Sequence, residues 1–335
     1  MTTPAPKMRN SLRSSATRWL LLATVCWGLS FPIMRTLNLA QAEWMPGRAT
    51  SFFAALGVSS RFALATAVML LLCLRSVRHL SRNEVWHGLG LGAFGGVGLL
   101  LQVDGLAHTD ASTSAFLTQA YCLLLPVLVA LRDRHWPPVR VLLGCVLVVI
   151  GAAVLAGLSP GKLGLGRGEA ETLLASVLFA LQILWLERPR FAECQTNHSS
   201  LVMFATVAIV ALPVAVATTK ESSDWLHPFR YPATWGLLGL LVVFCTLMAF
   251  GLMNRWQRHV GATIAGLIYC VEPVCASLFA LFLPAWFGAW TGVAYPNETI
   301  TLRLVIGGGL ILAANVLAQW PEPSENSPNS GLPKS

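Results

Sequence analysis

Ten long apolar runs dominate the chain, near residues 19–37, 54–74, 86–106, 111–131, 140–158, 170–187, 199–219, 233–253, 261–283 and 302–320. A helix needs about 20 mostly apolar residues to cross a bilayer core about 30 Å thick, and each run approaches that length. Lipid offers no water to backbone N–H and C=O groups, so segments of this kind satisfy themselves as helices. The sixth run is the weakest, because Glu169 and Glu171 stand at its mouth. Charge is correspondingly scarce. Only 11% of the 335 residues are charged and 55% are hydrophobic, whereas a soluble domain carries about 25% charge. The expected fold class is an all-α polytopic membrane protein with ten transmembrane helices.

The basic residues orient these helices. With the N-terminus in the cytoplasm, 15 of the 23 Lys and Arg fall on inner segments, among them Arg13, Arg75, Arg78, Arg82, Arg188, Arg190, Arg255 and Arg258. Positive charge collects on the cytoplasmic side of membrane proteins. The expected location is therefore the plasma (inner) membrane, with both termini cytoplasmic. A secretory leader cleaved after Ala40-Gln41-Ala42 is the rival reading of the first run; Pro32 and Arg35 intervene before that site, which disfavours it.

The same pattern excludes other classes. The formal charge of +8 is dispersed between apolar runs, not gathered into an arm, so no nucleic-acid partner is expected. The eight cysteines form no CxxC pair, and no histidines flank a glutamate at metal-ligand spacing. No metal, cofactor or ATP-binding motif is expected. A membrane-embedded enzyme, the alternative function, would need a His, Asp or Ser-His cluster at one depth; a sensor would need a soluble output domain.

One phrase occurs twice. "LLATVCWGLS" at 21–30 returns as "LLASVLFALQ" at 173–182. "ASTSAFLTQAYCLLLPV" (111–127) is echoed by "GATIAGLIYCVEPV" (261–274), and "RVLLGCVLVVIGAAVLA" (140–156) by "RLVIGGGLILAANVLA" (303–318). Runs one, four and five thus match six, nine and ten. A unit of five helices is odd, so its second copy enters the membrane from the opposite face, and the halves form two inverted five-helix repeats. That is an architecture of secondary transporters with a midplane site. The expected organisation is a cytoplasmic N-terminal tail at 1–18, a first repeat at 19–158, a second at 159–320 and a disordered cytoplasmic tail at 321–335.

On these motifs the chain resembles the EamA-type permeases of the drug/metabolite transporter superfamily. "CWGLSFPIM" (26–34), "RFALATAVMLLL" (61–72), "LQVDGLAHTDASTSAFLTQ" (101–119) and "QRHVGATIAGLIYCVEPVCASLFAL" (257–281) carry the resemblance. It implies a ten-helix inverted repeat moving small metabolites, often outward. The Gly-Glu pair that usually closes the fourth and ninth helices of that family is absent: those places read "LRDRHWPP" and "LPAWFGAW".

The residues expected to serve transport are the polar and amphipathic ones inside the runs. Trp27, Arg61, Gln119, Tyr121, Gln182, Tyr269 and Glu272 are the substrate-cavity candidates. Glu272 is also the proton-coupling candidate, since a formal charge near mid-membrane costs at least about 2.5–3.5 kcal/mol and must face a cavity or a partner. Its other reading is a structural carboxylate. Arg61 either holds an anionic group or reaches the outer headgroups or an ion-pair partner. Asn254 is expected to join helices, Asp104 and Asp110 to be solvated, and Pro126 and Pro273 to act as hinges. The expected function is transport of a small amino-acid-like or drug-like metabolite by alternating access, with proton coupling and export as defaults. Small molecule and bilayer are the expected partners; the sequence leaves oligomeric state open.

Overall fold

The computed structural model describes residues 6–132, 134, 136, 139–155, 165–260 and 262–319. The boundary expected between residues 158 and 159 and the tail expected at 321–335 lie outside these. The described residues of the apolar runs are helical apart from two short breaks, and the described residues contain no strand. In chain order the helices are α1 (Pro6–Trp44), α2 (Thr50–Cys73), α3 (Arg82–Leu106), α4 (Ala111–Thr118), α5 (Tyr121–Arg132), α6 (Val139–Leu155) and α7 (Arg167–Leu186). They continue with α8 (Thr196–Thr218), α9 (Pro232–Val242), α10 (Ala249–Trp256), α11 (Ala262–Tyr269), α12 (Glu272–Phe282), α13 (Pro284–Thr291) and α14 (Leu302–Gln319).

Eight helical stretches are long and apolar enough to cross a bilayer, and two shorter apolar helices accompany them at Val139–Leu155 and Leu302–Leu317. The chain is a multi-pass membrane protein. Its first helix begins at Pro6, so residues 6–18, expected as tail, continue the first run as helix.

Two runs are interrupted. The fourth is split into α4 and α5 at Gln119–Ala120, and the ninth into α11 and α12 at Cys270–Val271. Pro273, two residues past the second break, cannot donate to the preceding turn, which accounts for it. Pro126 sits inside α5, six residues beyond the first break, and does not coincide with it. Between α9 and α10 a π turn over Val243–Met248 inserts an extra residue into the eighth run.

Glycines let these helices approach. Without a hydrophobic driving force between them in lipid, helices associate through close packing at small residues and through hydrogen bonds. The α3 stretch "GLGLGAFGGVGLL" (88–100) serves two neighbours at once. Gly90, Gly95 and Gly98 give room to Trp185, Gln182 and Phe179 of α7, while Gly88, Gly92 and Gly96 abut α8. Gly151 of α6 and Gly307 of α14 face each other reciprocally: a Cβ on either would lie 2.8 Å from the other's carbonyl oxygen. α2 packs on α8, and α1 on α10 and α12.

Candidate functional site

Gly28 explains how α1 and α12 come together. A Cβ there would stand 2.9 Å from the Ala276 nitrogen and 3.1 Å from the Glu272 carbonyl oxygen, so only glycine lets the start of α12 lie on α1. This contact brings Trp27 beside Tyr269, with ring centroids 5.4 Å apart and an edge-on angle of 68°. Phe250 meets the same indole at 5.4 Å. Edge-to-face packing of this kind favours aromatic pairs beyond simple burial.

These rings border a cavity of about 60 Å³ lined by Trp27, Arg61, Tyr121, Gln182, Tyr269 and Glu272, with Ser30, Leu99, Gln102, Thr118, Phe179, Ile183, Phe250 and Met253 completing its wall. Six of the seven cavity candidates therefore converge. The seventh, Gln119, stands behind the wall, and its Nε2 donates to Glu272 Oε2 at 3.2 Å. Glu272 is the first residue of α12 and buried. A carboxylate in the first turn is favoured by the unpaired N–H groups and the helix dipole there. The break between α11 and α12 thus supplies a second source of support for the acid.

The wall has a regular spacing. Trp27 and Phe179 stand 152 residues apart, as do Ser30 and Gln182. Leu99 and Phe250, Gln102 and Met253, Thr118 and Tyr269, and Tyr121 and Glu272 are each separated by 151. The two helix breaks are also 151 apart.

Arg61 does not reach the headgroups. It is 3% exposed and turned inward, where its Nε donates to Thr246 Oγ1 at 2.6 Å and its Nη2 to the Cys245 carbonyl at 2.8 Å. Both acceptors lie in the π turn, and Thr246 itself bonds back to Leu241 O at 2.9 Å. The inserted residue frees a carbonyl, and the guanidinium takes it. No residue pattern announces a π turn, so this partnership was not legible in the sequence. Asn254 donates to Ser200 Oγ at 2.9 Å and ties α10 to α8, as expected of a joining residue.

From Tyr269 a chain of hydrogen bonds leaves the cavity towards one end of the bundle. Its hydroxyl donates to Gln257 Oε1 at 3.0 Å, and Gln257 Nε2 donates to Glu187 Oε1 at 3.0 Å. At the opposite end of the bundle one of the two acids expected to be solvated is not. Asp104 is buried and paired with Arg167, which also bonds Glu171 at 2.8 Å. Asp110 is exposed, 3.5 Å from Arg35. Glu298, from the 284–301 segment that only the second half possesses, accepts from the Ala111 N–H at 2.8 Å and from the Ser112 hydroxyl, capping α4. Burial holds its carboxyl above the usual range, against the opposing hydrogen bonds from Ser112.

Comparison with known proteins follows this geometry. Residues 15–157 match the EamA-like transporter family. An uncharacterized transporter of Archaeoglobus fulgidus is 25% identical over 299 residues, covering 89% of this chain and 83% of the relative. One from Haemophilus influenzae is 28% identical over 138 residues, covering 40% of this chain and 78% of the relative. A crystal structure of a protein shares the fold with a TM-score of 0.58 at 21% identity, covering 91% of this chain and 96% of that one. The helices, the cavity and these similarities agree: this multi-pass membrane protein resembles the EamA-like transporter family over residues 15–157 and is similar along most of its length to a protein named a transporter.

Proposed function

We propose that this transporter carries a small organic metabolite, amino-acid-like or drug-like, through the cavity between Trp27, Arg61, Tyr269 and Glu272 by alternating access. The observation that carries the reading is the 151–152-residue spacing of six wall pairs and of the two helix breaks. Such spacing supports two five-helix repeats, 19–158 and 159–320, of opposite sidedness, ten membrane passes, and cytoplasmic termini in the plasma membrane. α6 and α14, the fifth helices of the repeats, meet at reciprocal glycines, as elements do when they pair across a twofold axis. Related halves can exchange conformations, so that one midplane site faces each side in turn.

The wall offers one acid, one guanidinium, amides and five aromatic residues. That set suits a molecule with a charged or polar head and an apolar body. Glu272 is the proton-coupling residue in this reading, and export is the working direction; Gln119 holds the carboxyl while the site is closed. Transport into proteoliposomes across a panel of amino acids and organic cations, with and without an imposed pH gradient, tests it. Glu272→Gln abolishes the gradient-driven component while leaving the protein folded. Gradient-driven transport at the wild-type rate in that variant rejects the coupling role; no transport of any panel member rejects the substrate class.

A further inference from the structure

A cavity of about 60 Å³ has room for about two water molecules, whereas pockets for small organic ligands run from about 300 to about 1,000 Å³. A metabolite enters only if a wall moves. Two short helices of that wall are placed to move. α4 brings Thr118 and α11 brings Tyr269 to the cavity; each has eight residues, and each ends at one of the two helix breaks. Their other ends are corners, where α3 gives way to α4 and α10 to α11.

Each corner is held by the first helix of its own half of the chain. Arg35 of α1 donates from Nη1 to the carbonyl oxygen of Leu106, the last residue of α3, at 2.8 Å, and its Nη2 lies 3.5 Å from Asp110, the residue before α4. Glu187, the residue after α7, accepts from Nε2 of Gln257, the residue after α10, at 3.0 Å, and Gln257 Oε1 accepts from the Tyr269 hydroxyl at 3.0 Å. The two clasps occupy equivalent places. Arg35 and Glu187 are 152 residues apart and Leu106 and Gln257 are 151 apart, the separations found in the cavity wall. They lie at opposite ends of the bundle. The first is at the end where Arg48 reaches Glu221 and Asp224, each at 2.9 Å, and the second at the end where His198 lies 3.1 Å from Glu84.

The chemistry suits contacts that open and close. A helix leaves its last carbonyls without partners of its own, so the Leu106 oxygen is held by Arg35 when the corner is in and by water when it is out. A guanidinium there also meets the negative end of the α3 dipole. Asp110 is exposed and Glu187 half-buried, so neither clasp is sealed from water. The first clasp has a further brace from the 284–301 segment, with the Tyr295 ring 5.9 Å from the Arg35 guanidinium and Glu298 on the start of α4.

We infer that Arg35 and Glu187 are a pair of gate residues. Release of the Arg35 clasp lets α4 swing about the Gln119–Ala120 break and opens the cavity at the Arg48 end. Release of the Glu187 clasp lets α11 swing about the Cys270–Val271 break and opens it at the other end, and one clasp stays shut while the other is open. The assignment rests on the alternating-access reading, but the clasps are measurable without a substrate. Hydrogen–deuterium exchange of the full-length protein in nanodiscs reads the two corners separately. Arg35→Met lowers protection across residues 105–113 roughly fivefold, the weight of one net hydrogen bond, and leaves 255–260 at or above the wild-type level. Glu187→Ala does the converse. Glu187→Gln keeps an acceptor oxygen for Gln257 and stays near the wild type. Equal loosening of both corners by either variant is what a merely structural residue would give, and it overturns the inference; so does a near corner that does not loosen. If Arg35→Met or Glu187→Ala does not fold, Arg35→Gln and Gln257→Asn, which shorten the reach of each clasp, decide by the same contrast. Corners that respond separately in a protein that moves no panel member leave the clasps standing and count against the transport reading alone.

Discussion

The end of the bundle that carries Arg48 and the end that carries His198, outer and inner in the proposed orientation, are held by different kinds of contact. Outside, Arg48 bridges two acids, Trp44 stacks on Tyr231 with ring centroids 3.9 Å apart, and Gly105 and Gly168 lay backbone on backbone. Inside, the contacts are amides and an imidazole, with the Trp185 indole set over Gly90 and donating to His87 O at 3.1 Å. Backbone contacts cannot yield, whereas side chains can turn. The Gly105–Gly168 contact can therefore yield less than the contact of Trp185 with Gly90.

The largest test of that contrast is steric. A Cβ at Gly168 would lie 2.7 Å from the Gly105 oxygen and 3.0 Å from Thr109 Cβ. Gly168→Val should cost about 1–3 kcal/mol, the range for overpacked cores. Gly95→Ala, which meets only the end of the flexible Gln182 side chain, should cost less. Thermal unfolding in one detergent compares the two; equal losses would remove the difference in stiffness.

A smaller effect concerns the outer cap. Glu298→Ala leaves the first N–H groups of α4 without their acceptor, and cap removal costs about 1 kcal/mol. Its carboxyl is held above the ordinary value, chiefly by burial, so the docked state takes up a proton more readily than the free one. Docking is then strongest at low pH and weakens as pH rises through the elevated value. Limited proteolysis of the 292–301 segment, which is outside the helices, follows this: cleavage increases with pH in the wild type and loses that dependence in Glu298→Ala.

The smallest expected effect near neutrality belongs to the Arg48 junction. Burial pushes the Asp224 carboxyl up, but hydrogen bonds from Arg48 and the Glu221 N–H outweigh it and hold the group below its usual value. A depressed carboxyl contributes stability above its unfolded value, about 3.9, and loses it as pH falls through the folded one. Exchange across 219–231 should thus be flat from about pH 5 to about pH 8 and rise only in stronger acid. Arg48→Met should move that rise upward in pH; an unchanged profile would show that Arg48 does not set it.

How much of this was written in the chain can be judged at particular residues. Every apolar run is helical, and six of seven cavity candidates meet, because intramembrane polar residues are costly unless they face a cavity or each other. The sequence also suggests the proposed repeat, but in another register. The recurring Tyr-Cys pair, Tyr121-Cys122 and Tyr269-Cys270, suggests a spacing of 148, whereas the breaks and the wall follow 151. By the wall, Tyr121 stands opposite Glu272. Three residues are nearly one helical turn, so a local likeness survives the slip.

The sequence by itself determined that these segments are helices in a membrane, since a backbone without water must bond within its own segment. The tertiary structure alone decided that Arg61 serves a π-turn carbonyl, that Gln119 holds Glu272, that Asp104 is paired and that Glu298 caps a helix 187 residues away. Those partnerships depend on which faces meet across the bundle. That is settled by where glycines permit contact between helices far apart in the chain, and no local pattern encodes it.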